Sequence, residues 1–160
     1  MRMIVTNYRM TLAAAVLAMT CAAVALSAQS GDKYKTRLAP APPLAPLART
    51  AVVGVGAATA NLSGKKLTIN GTFEKLASAA TAANLCLGIA EGARGECGTT
   101  PPAKNSFALM IAPGTTGTLT GTVELNNEQV DALKKGRYYI SIHSQGAPTG
   151  HLLGWLLPDK

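Results

Sequence analysis

Strict alternation of apolar and polar side chains is the feature that most limits how this chain can fold. It is clearest in residues 118–125, where Leu119, Gly121, Val123 and Leu125 alternate with threonines and one glutamate. Successive residues of a strand point to opposite faces of a sheet, so this segment is predicted to be a strand with one buried and one solvated face.

A similar period occurs in residues 66–73, where Leu67, Ile69, Gly71 and Phe73 alternate with polar residues. Further short segments have apolar or β-branched residues at alternate positions and are bounded by turn-forming residues. They lie near residues 51–62, 85–89, 107–111, 138–143 and 151–157. Residues 33–38 alternate enough to be an additional edge strand. The connection at residues 76–85 is rich in small residues and is consistent with a short helical turn.

Residues 126–136 depart from this period and indicate one short helix. Asn126 is a helix-capping residue, Gln129 completes a capping box and Gly136 is a typical stop. Seven to eight short strands with regularly spaced turns and one short helix predict an all-β fold. We expect an antiparallel β-sandwich.

The N-terminus has the features of a secretory signal peptide. Arg2 and Arg9 give a positive start, residues 10–26 form an uncharged apolar run, and small residues with a polar break follow. This order predicts cleavage near Ala28 and removal of residues 1–28, which makes the mature protein periplasmic or secreted, without membrane association. An uncleaved signal anchor is the alternative, because the apolar run is near the lower limit for a membrane span.

Residues 29–50 are predicted to be a proline-rich arm or linker ahead of a domain at residues 51–158. Pro40, Pro42, Pro43 and Pro46 stand close together in this segment. Proline disrupts helices and donates no backbone hydrogen bond, so the segment is expected to be extended.

The charge of the chain gives little indication of a nucleic-acid partner. Loss of Arg2 and Arg9 with the signal peptide lowers the formal net charge from +7 to +5. The remaining basic residues are scattered along the chain, without interleaved aromatic residues that would stack on bases. We therefore expect no nucleic-acid binding and interpret these residues as solvated charges.

The cysteine content fits an exported protein. Removal of the signal peptide takes away Cys21 and leaves Cys86 and Cys97 as an even pair around a glycine-rich loop. In an oxidising compartment such a pair can close a disulfide. Two separate free thiols remain the alternative, because spacing does not establish bond geometry.

Several motifs occur in a fixed order: LTINGTFEKL from residue 67, TAA from 81, GTVEL from 121, QVDAL from 129, GRYYISIHS from 136 and GHLLG from 150. This order resembles the CHRD domain, the repeat found in chordin and in many exported bacterial proteins. The resemblance covers about residues 51–157. It implies an exported, non-catalytic binding or structural module of unknown ligand, with no cofactor.

The chain departs from the family pattern where a metal site would be expected. Members usually have His-x-His where this chain has Asn84-Leu85-Cys86, and alternate strand residues share a face, so those histidines with a later one would form a metal site. Only His143 remains here. Members also usually have Gly-Glu-Ile-Arg-Gly where this chain has GHLLG, which loses a Glu–Arg pair. Cys86, with Cys97 as its partner, is expected in a disulfide instead.

An alternative function is a periplasmic metal-binding or redox-associated protein. Alternation places His143 and His151 on outward faces, and together with Cys86 they would form a soft ligand set suited to copper or zinc. Ser141 and Ser144 flank His143, but no orienting acid accompanies them, so we expect no catalytic residue and no enzyme.

The aromatic residues near the C-terminus offer a second kind of site. Tyr139 and Trp155 would form an exposed patch for an exported or cell-surface protein partner if both are accessible. The alternative is that Trp155 packs under the proline-rich arm.

Overall fold

The computed structural model describes residues 31–41, 52–95, 97 and 106–160. The predicted signal peptide and half of the predicted proline-rich arm, residues 29, 30 and 42–50, lie outside these residues. In the part described, no helix is long and apolar enough to cross a membrane.

Nine strands and one helix are found in the described residues. In chain order they are β1 (Asp32–Pro40), β2 (Val55–Ser63), β3 (Lys66–Glu74), β4 (Ala80–Leu87), β5 (Ser106–Ile111), β6 (Gly117–Glu124), α1 (Asn127–Lys134), β7 (Tyr138–Ser144), β8 (Ala147–Trp155) and β9 (Leu157–Pro158).

The first eight strands form a closed antiparallel barrel in the order β1-β2-β3-β6-β5-β4-β7-β8, and β8 returns to β1. The prediction of an all-β fold with one short helix is confirmed, but the predicted sandwich is wrong. Two strands pass from one half of the sheet to the other: β1 pairs with both β2 and β8, and β5 with both β4 and β6. Sequence alternation cannot distinguish the two folds, because inward and outward residues alternate in both.

The barrel begins earlier than residue 51. The alternating segment at residues 33–38 lies within β1, which is a strand with neighbours on both sides and not an edge strand. Tyr34, Thr36 and Leu38 of β1 are buried. The first strand therefore belongs to the segment that the sequence assigned to the arm.

The barrel interior is filled by the alternate apolar residues that the sequence pattern indicated. Its largest fully buried aliphatic and aromatic side chains include Leu38, Leu67, Ile69, Phe73, Leu85, Leu119, Tyr138, Ile140 and Ile142. Burial of these side chains provides the main driving force for closing the sheet.

The small-residue segment after β3 is a strand and not a helical turn. β4 begins at Ala80 and pairs with both β5 and β7. Ile89, expected to share a face with Leu85, lies beyond the strand and is 75% exposed. Local sequence preference is weak in such an alanine-rich segment, so pairing with two neighbouring strands decides its conformation.

The predicted helix is present with its capping box. The Asn126 side-chain oxygen accepts from the Gln129 amide at 2.9 Å, and the Gln129 side-chain oxygen accepts from the Asn126 amide at 2.9 Å. Leu133 of α1 is fully buried. The helix thus forms the connection between β6 and β7, and Leu133 anchors it to the core.

At Gly154, β8 lies close against β1. A Cβ atom there would collide with the Thr36 hydroxyl and with the Arg37 carbonyl oxygen. The backbone oxygen cannot move away without disturbing strand pairing, so only glycine fits this position.

We expect Gly154→Val to destabilise the protein by about 1–3 kcal/mol, as overpacking of a closely packed site does. Lys65→Val, in an exposed turn, is the control and should change stability little. The free energies of unfolding are measured in urea. Equal values for the two variants would contradict the close packing of β1 and β8.

Candidate functional site

The candidate site residues lie on three neighbouring strands: Cys86 on β4, Ser141, His143 and Ser144 on β7, and His151 on β8. Residues 138, 140 and 142 of β7 point into the barrel, so Tyr139, Ser141 and His143 lie on its outer side. The outer side is nevertheless covered, because every residue of β7 is buried. On β4, Asn84 is opposite Ser141 and Cys86 is opposite Tyr139. The sequence pattern thus identified the shared face correctly but not its burial.

His143 has a defined tautomer. It is 2% exposed, and its Nδ1 lies 2.9 Å from the Pro148 carbonyl oxygen. A carbonyl only accepts, so Nδ1 carries the hydrogen and Nε2 presents a lone pair. That Nε2 atom has no hydrogen-bond partner among the described residues. Burial lowers the pKa of His143 below its ordinary value of 6.5, and the bond to Pro148 opposes part of this shift. The neutral imidazole is therefore favoured.

Asn84 is a second incompletely bonded polar group on the same face. It is 3% exposed, and its Nδ2 atom has no partner within the described part of the chain. Because Asn84 is opposite Ser141 and His143 is opposite Ala82, Asn84 and His143 occupy diagonal positions on neighbouring strands. Long side chains at diagonal positions are within reach of each other. An amide donor and an imidazole acceptor are thus both buried on this face, at diagonal positions and without a hydrogen bond between them.

A bulge separates the environment of His151 from that of His143. Ile142 is opposite Leu152 and Ser144 is opposite Ala147, so a step of two residues along β7 corresponds to a step of five along β8. Gly150 lies within the bulge at φ +133°, a conformation that side-chain-bearing residues rarely adopt. The His151 side chain is fully buried, although the sequence pattern predicted an outward position for it.

His151 belongs to a chain of hydrogen bonds that leads from the exposed turn between β7 and β8 to the buried imidazole. The Gly146 amide donates to Ser78 Oγ at 2.8 Å, and Ser78 Oγ donates to Ser144 Oγ at 3.0 Å. Ser144 Oγ lies 2.6 Å from His151 Nδ1, and His151 Nε2 lies 2.6 Å from the Val53 carbonyl oxygen. Since the carbonyl accepts from Nε2–H, Nδ1 accepts from Ser144. Both nitrogens of His151 are used, so neither is left for a metal.

Sequence reasoning missed the partners in this chain of bonds. Ser78 is 66 residues from Ser144, and Val53 is 98 residues from His151, and no local pattern indicates such contacts. Ser144 and His151 also resemble two members of a catalytic triad. Both are fully buried and the third member is a carbonyl, so the arrangement lacks the acid and the access that a nucleophilic serine requires.

The predicted disulfide joins Cys86 and Cys97, whose Cα atoms are 5.5 Å apart. Cys86 is fully buried. The Tyr139 hydroxyl donates to the Gly95 carbonyl at 2.8 Å and holds the loop after β4 at a second point. Cys86 is therefore bound to sulfur and is not free to bind a metal.

The predicted aromatic patch is mostly covered. Tyr139 and Trp155 are opposite each other on β7 and β8, with ring centroids 4.9 Å apart and planes tilted by 54°. Tyr139 is 1% exposed, while Trp155 is half-buried. The pair is thus a packing contact in which only Trp155 reaches the surface. Residues 42–50, under which Trp155 was alternatively expected to pack, lie outside the described residues.

The candidate metal ligands do not form one site in the described residues. His143 binds Pro148, His151 binds Ser144 and Val53, and Cys86 is in the disulfide. Among the residues described, no group of three or more histidine, cysteine, aspartate or glutamate side chains could hold a metal ion.

The disulfide predicts the number of free thiols in the protein without residues 1–28. Thiol titration of the unfolded, unreduced chain should detect no free thiol, and two thiols per chain would contradict the pairing. Cys97→Ser should lower the free energy of unfolding by about 2–3 kcal/mol, because the unfolded chain gains loop entropy.

The pKa of His143 predicts a loss of stability in mild acid. Its pKa is near 6.5 in the unfolded chain and lower in the folded protein, so below pH 6.5 the unfolded state binds more protons. Above pH 6.5 both states are neutral and His143 contributes no pH dependence. Urea midpoints should therefore fall between about pH 7 and about pH 5, above the range where carboxylates titrate.

The control for this prediction is His143→Gln, whose side-chain amide can still donate to Pro148 but does not titrate. Its urea midpoint should vary less with pH than that of the wild-type protein. The same slope in both proteins would show that the pH dependence has another source.

Comparison with known proteins agrees with the order of motifs. A family model described as the CHRD domain matches residues 34–156, from within β1 to just beyond β8. Neither the search of curated proteins nor the search of solved structures found a match. Since the family match covers most of the chain and nearly the whole barrel, this protein belongs to the CHRD domain family.

Proposed function

We propose that this protein is an exported, non-catalytic module that binds a ligand or partner or has a structural role. The observation that carries this proposal is that three reactive side chains of the described residues are engaged within the fold. Cys86 is in a disulfide, both nitrogens of His151 are hydrogen-bonded, and Ser144 is fully buried. Catalysis needs a nucleophile or general base that substrate can reach.

Export is supported by two independent features. The N-terminal sequence has the charge and apolar run of a secretory signal, and the pairing of Cys86 with Cys97 suits an oxidising compartment. The proposed location is the periplasm or the extracellular medium, without membrane association after signal cleavage. A ligand or an exported or cell-surface protein is the proposed type of partner.

A second candidate function is metal binding or a redox-associated role, and the geometry of His143 favours it. Metal-binding histidines usually donate their other ring N–H to a carbonyl or carboxylate, which fixes the tautomer. His143 has this arrangement: Nδ1 bonds to Pro148 and Nε2 carries a lone pair without a partner in the described residues. Its buried polar neighbours, Asn84 and Ser141, are weak ligands for copper or zinc. We therefore rank this candidate second.

Metal analysis separates the two candidates. Protein purified from the periplasm without added metal should contain copper and zinc at well below one ion per chain, and His143→Ala should not change this content. One bound ion per chain that is lost in His143→Ala, but retained in Gln145→Ala, would overturn the first candidate. Gln145 is the matched control because it is an exposed residue of the same β7–β8 hairpin.

A further inference from the structure

The outer surface of β1, β2, β3 and β6 carries side chains in three cross-strand rows, which we call the row face. The first row contains Lys33, Asn61, Thr68 and Thr122; the second contains Lys35, Thr59, Asn70 and Thr120; the third contains Arg37, Ala57, Thr72 and Thr118. Neighbouring strands are about 4.8 Å apart, and successive rows are separated by two residues, roughly 6.7 Å. The row face is thus a regular array of small polar groups.

Charge is distributed unevenly on the row face. Each row begins with a cation on β1 and continues across β2, β3 and β6 without a charged residue. The acids of these strands lie beyond the rows: Glu124 is opposite Lys66 past the first row, and Glu74 is opposite Val55 past the third. Asp159, from the C-terminal segment, forms an ion pair with Lys35.

Grooves follow the direction of the rows. One groove of about 510 Å³ lies between the first two rows, and its lining includes Lys33, Asn61, Thr68 and, at the β1 end, the acidic residue Asp159. A second, of about 430 Å³, lies between the second and third rows. A third, of about 580 Å³, borders the third row and includes both Arg37 and Glu74. The first groove extends from β1 to β3, the second from β2 to β6, and the third from β1 to β6.

We propose that the row face binds an acidic polysaccharide lying across the strands, an inference that rests on the proposed binding function. Lys33 and Arg37 would bind the acid groups of the chain, as exposed cations do. The threonine hydroxyls and asparagine amides both donate and accept hydrogen bonds, and so match sugar hydroxyls. The ligand class is therefore an extended polymer that carries both hydroxyl and carboxylate groups.

The composition of the row face favours a glycan over a protein partner. Protein interfaces usually have an apolar or aromatic core, and Ala57 is the one apolar side chain of the three rows. The exposed apolar residues Met110 and Val55 lie at the margins, at the far end of the second row and past the third row. The lack of exposed aromatic rings in the rows also predicts weak binding, since no ring can stack on a sugar. Because the cations are solvated, binding should weaken as salt is added.

The test compares polygalacturonate with its fully methyl-esterified form, which has the same backbone without the charge. Binding of the exported protein to each polymer is measured by affinity electrophoresis at low and at raised salt. Dextran serves as an unrelated neutral polysaccharide. Polygalacturonate should bind most tightly and should lose affinity as salt is added, while the ester and dextran should bind much less.

Three variants locate the site. Lys33→Gln with Arg37→Gln should weaken polygalacturonate binding by about tenfold, because two surface charge contacts are removed. Lys75→Gln with Lys135→Gln removes the same charge outside the rows and should leave binding unchanged. Thr59→Val with Thr120→Val keeps side-chain shape but removes two hydroxyls, and should weaken binding by roughly three- to tenfold. Unchanged urea midpoints show that the variants are folded.

Other results would overturn the inference. If the Lys33/Arg37 variant and the Lys75/Lys135 variant lose binding equally, only the net charge of the protein matters and the row face is not the site. Tight binding of the ester or dextran would exclude an acidic ligand, while the binding function would stand. Failure of all three polymers would also exclude this ligand class, and the proposed function would then be judged by metal analysis.

Discussion

Closure of the barrel through β1 is the constraint on which the rest of the structure depends. β1 pairs with β2 along most of its length and with β8 at its end, so neither neighbour is left as a sheet edge. Unpaired edges invite association with other chains. Closure requires β8 to approach β1 closely, which Gly154 permits. The same closure encloses the apolar interior and forms the outer surface that carries the row face.

The sequence predicted local elements well and long-range features poorly. The alternation around Leu119 and Ile69 and the capping box of Asn126 and Gln129 depend on neighbouring residues, and each element was found where the pattern placed it. Barrel closure depends on pairing between β1 and β8, which lie at opposite ends of the domain. The alternating pattern is identical in a sandwich and a barrel, so it could not indicate which strands meet.

In the candidate site, too, local features could be predicted from the sequence and long-range contacts could not. Alternation placed Tyr139, Ser141 and His143 on one side of their strand, and the even pair of cysteines around a glycine-rich loop indicated the disulfide that the structure contains. For His151 the pattern did not indicate that the side chain is fully buried and hydrogen-bonded at both nitrogens. Gly150 was a local hint of the bulge in β8, since glycine often marks a bulge. The two histidines consequently differ: His143 keeps a nitrogen without a partner in the described residues, whereas His151 is fully engaged.

The hydrogen bonds through Ser78, Ser144 and His151 run in one direction, from the Gly146 amide to the Val53 carbonyl. Each hydroxyl accepts from the preceding group and donates to the next, so no member can reverse its orientation alone. The tip of the β7–β8 hairpin is thereby fastened both to the segment before β4 and to the segment before β2. Opening of the hairpin must therefore release three distant parts of the chain together, which makes this end of the barrel a single cooperative unit.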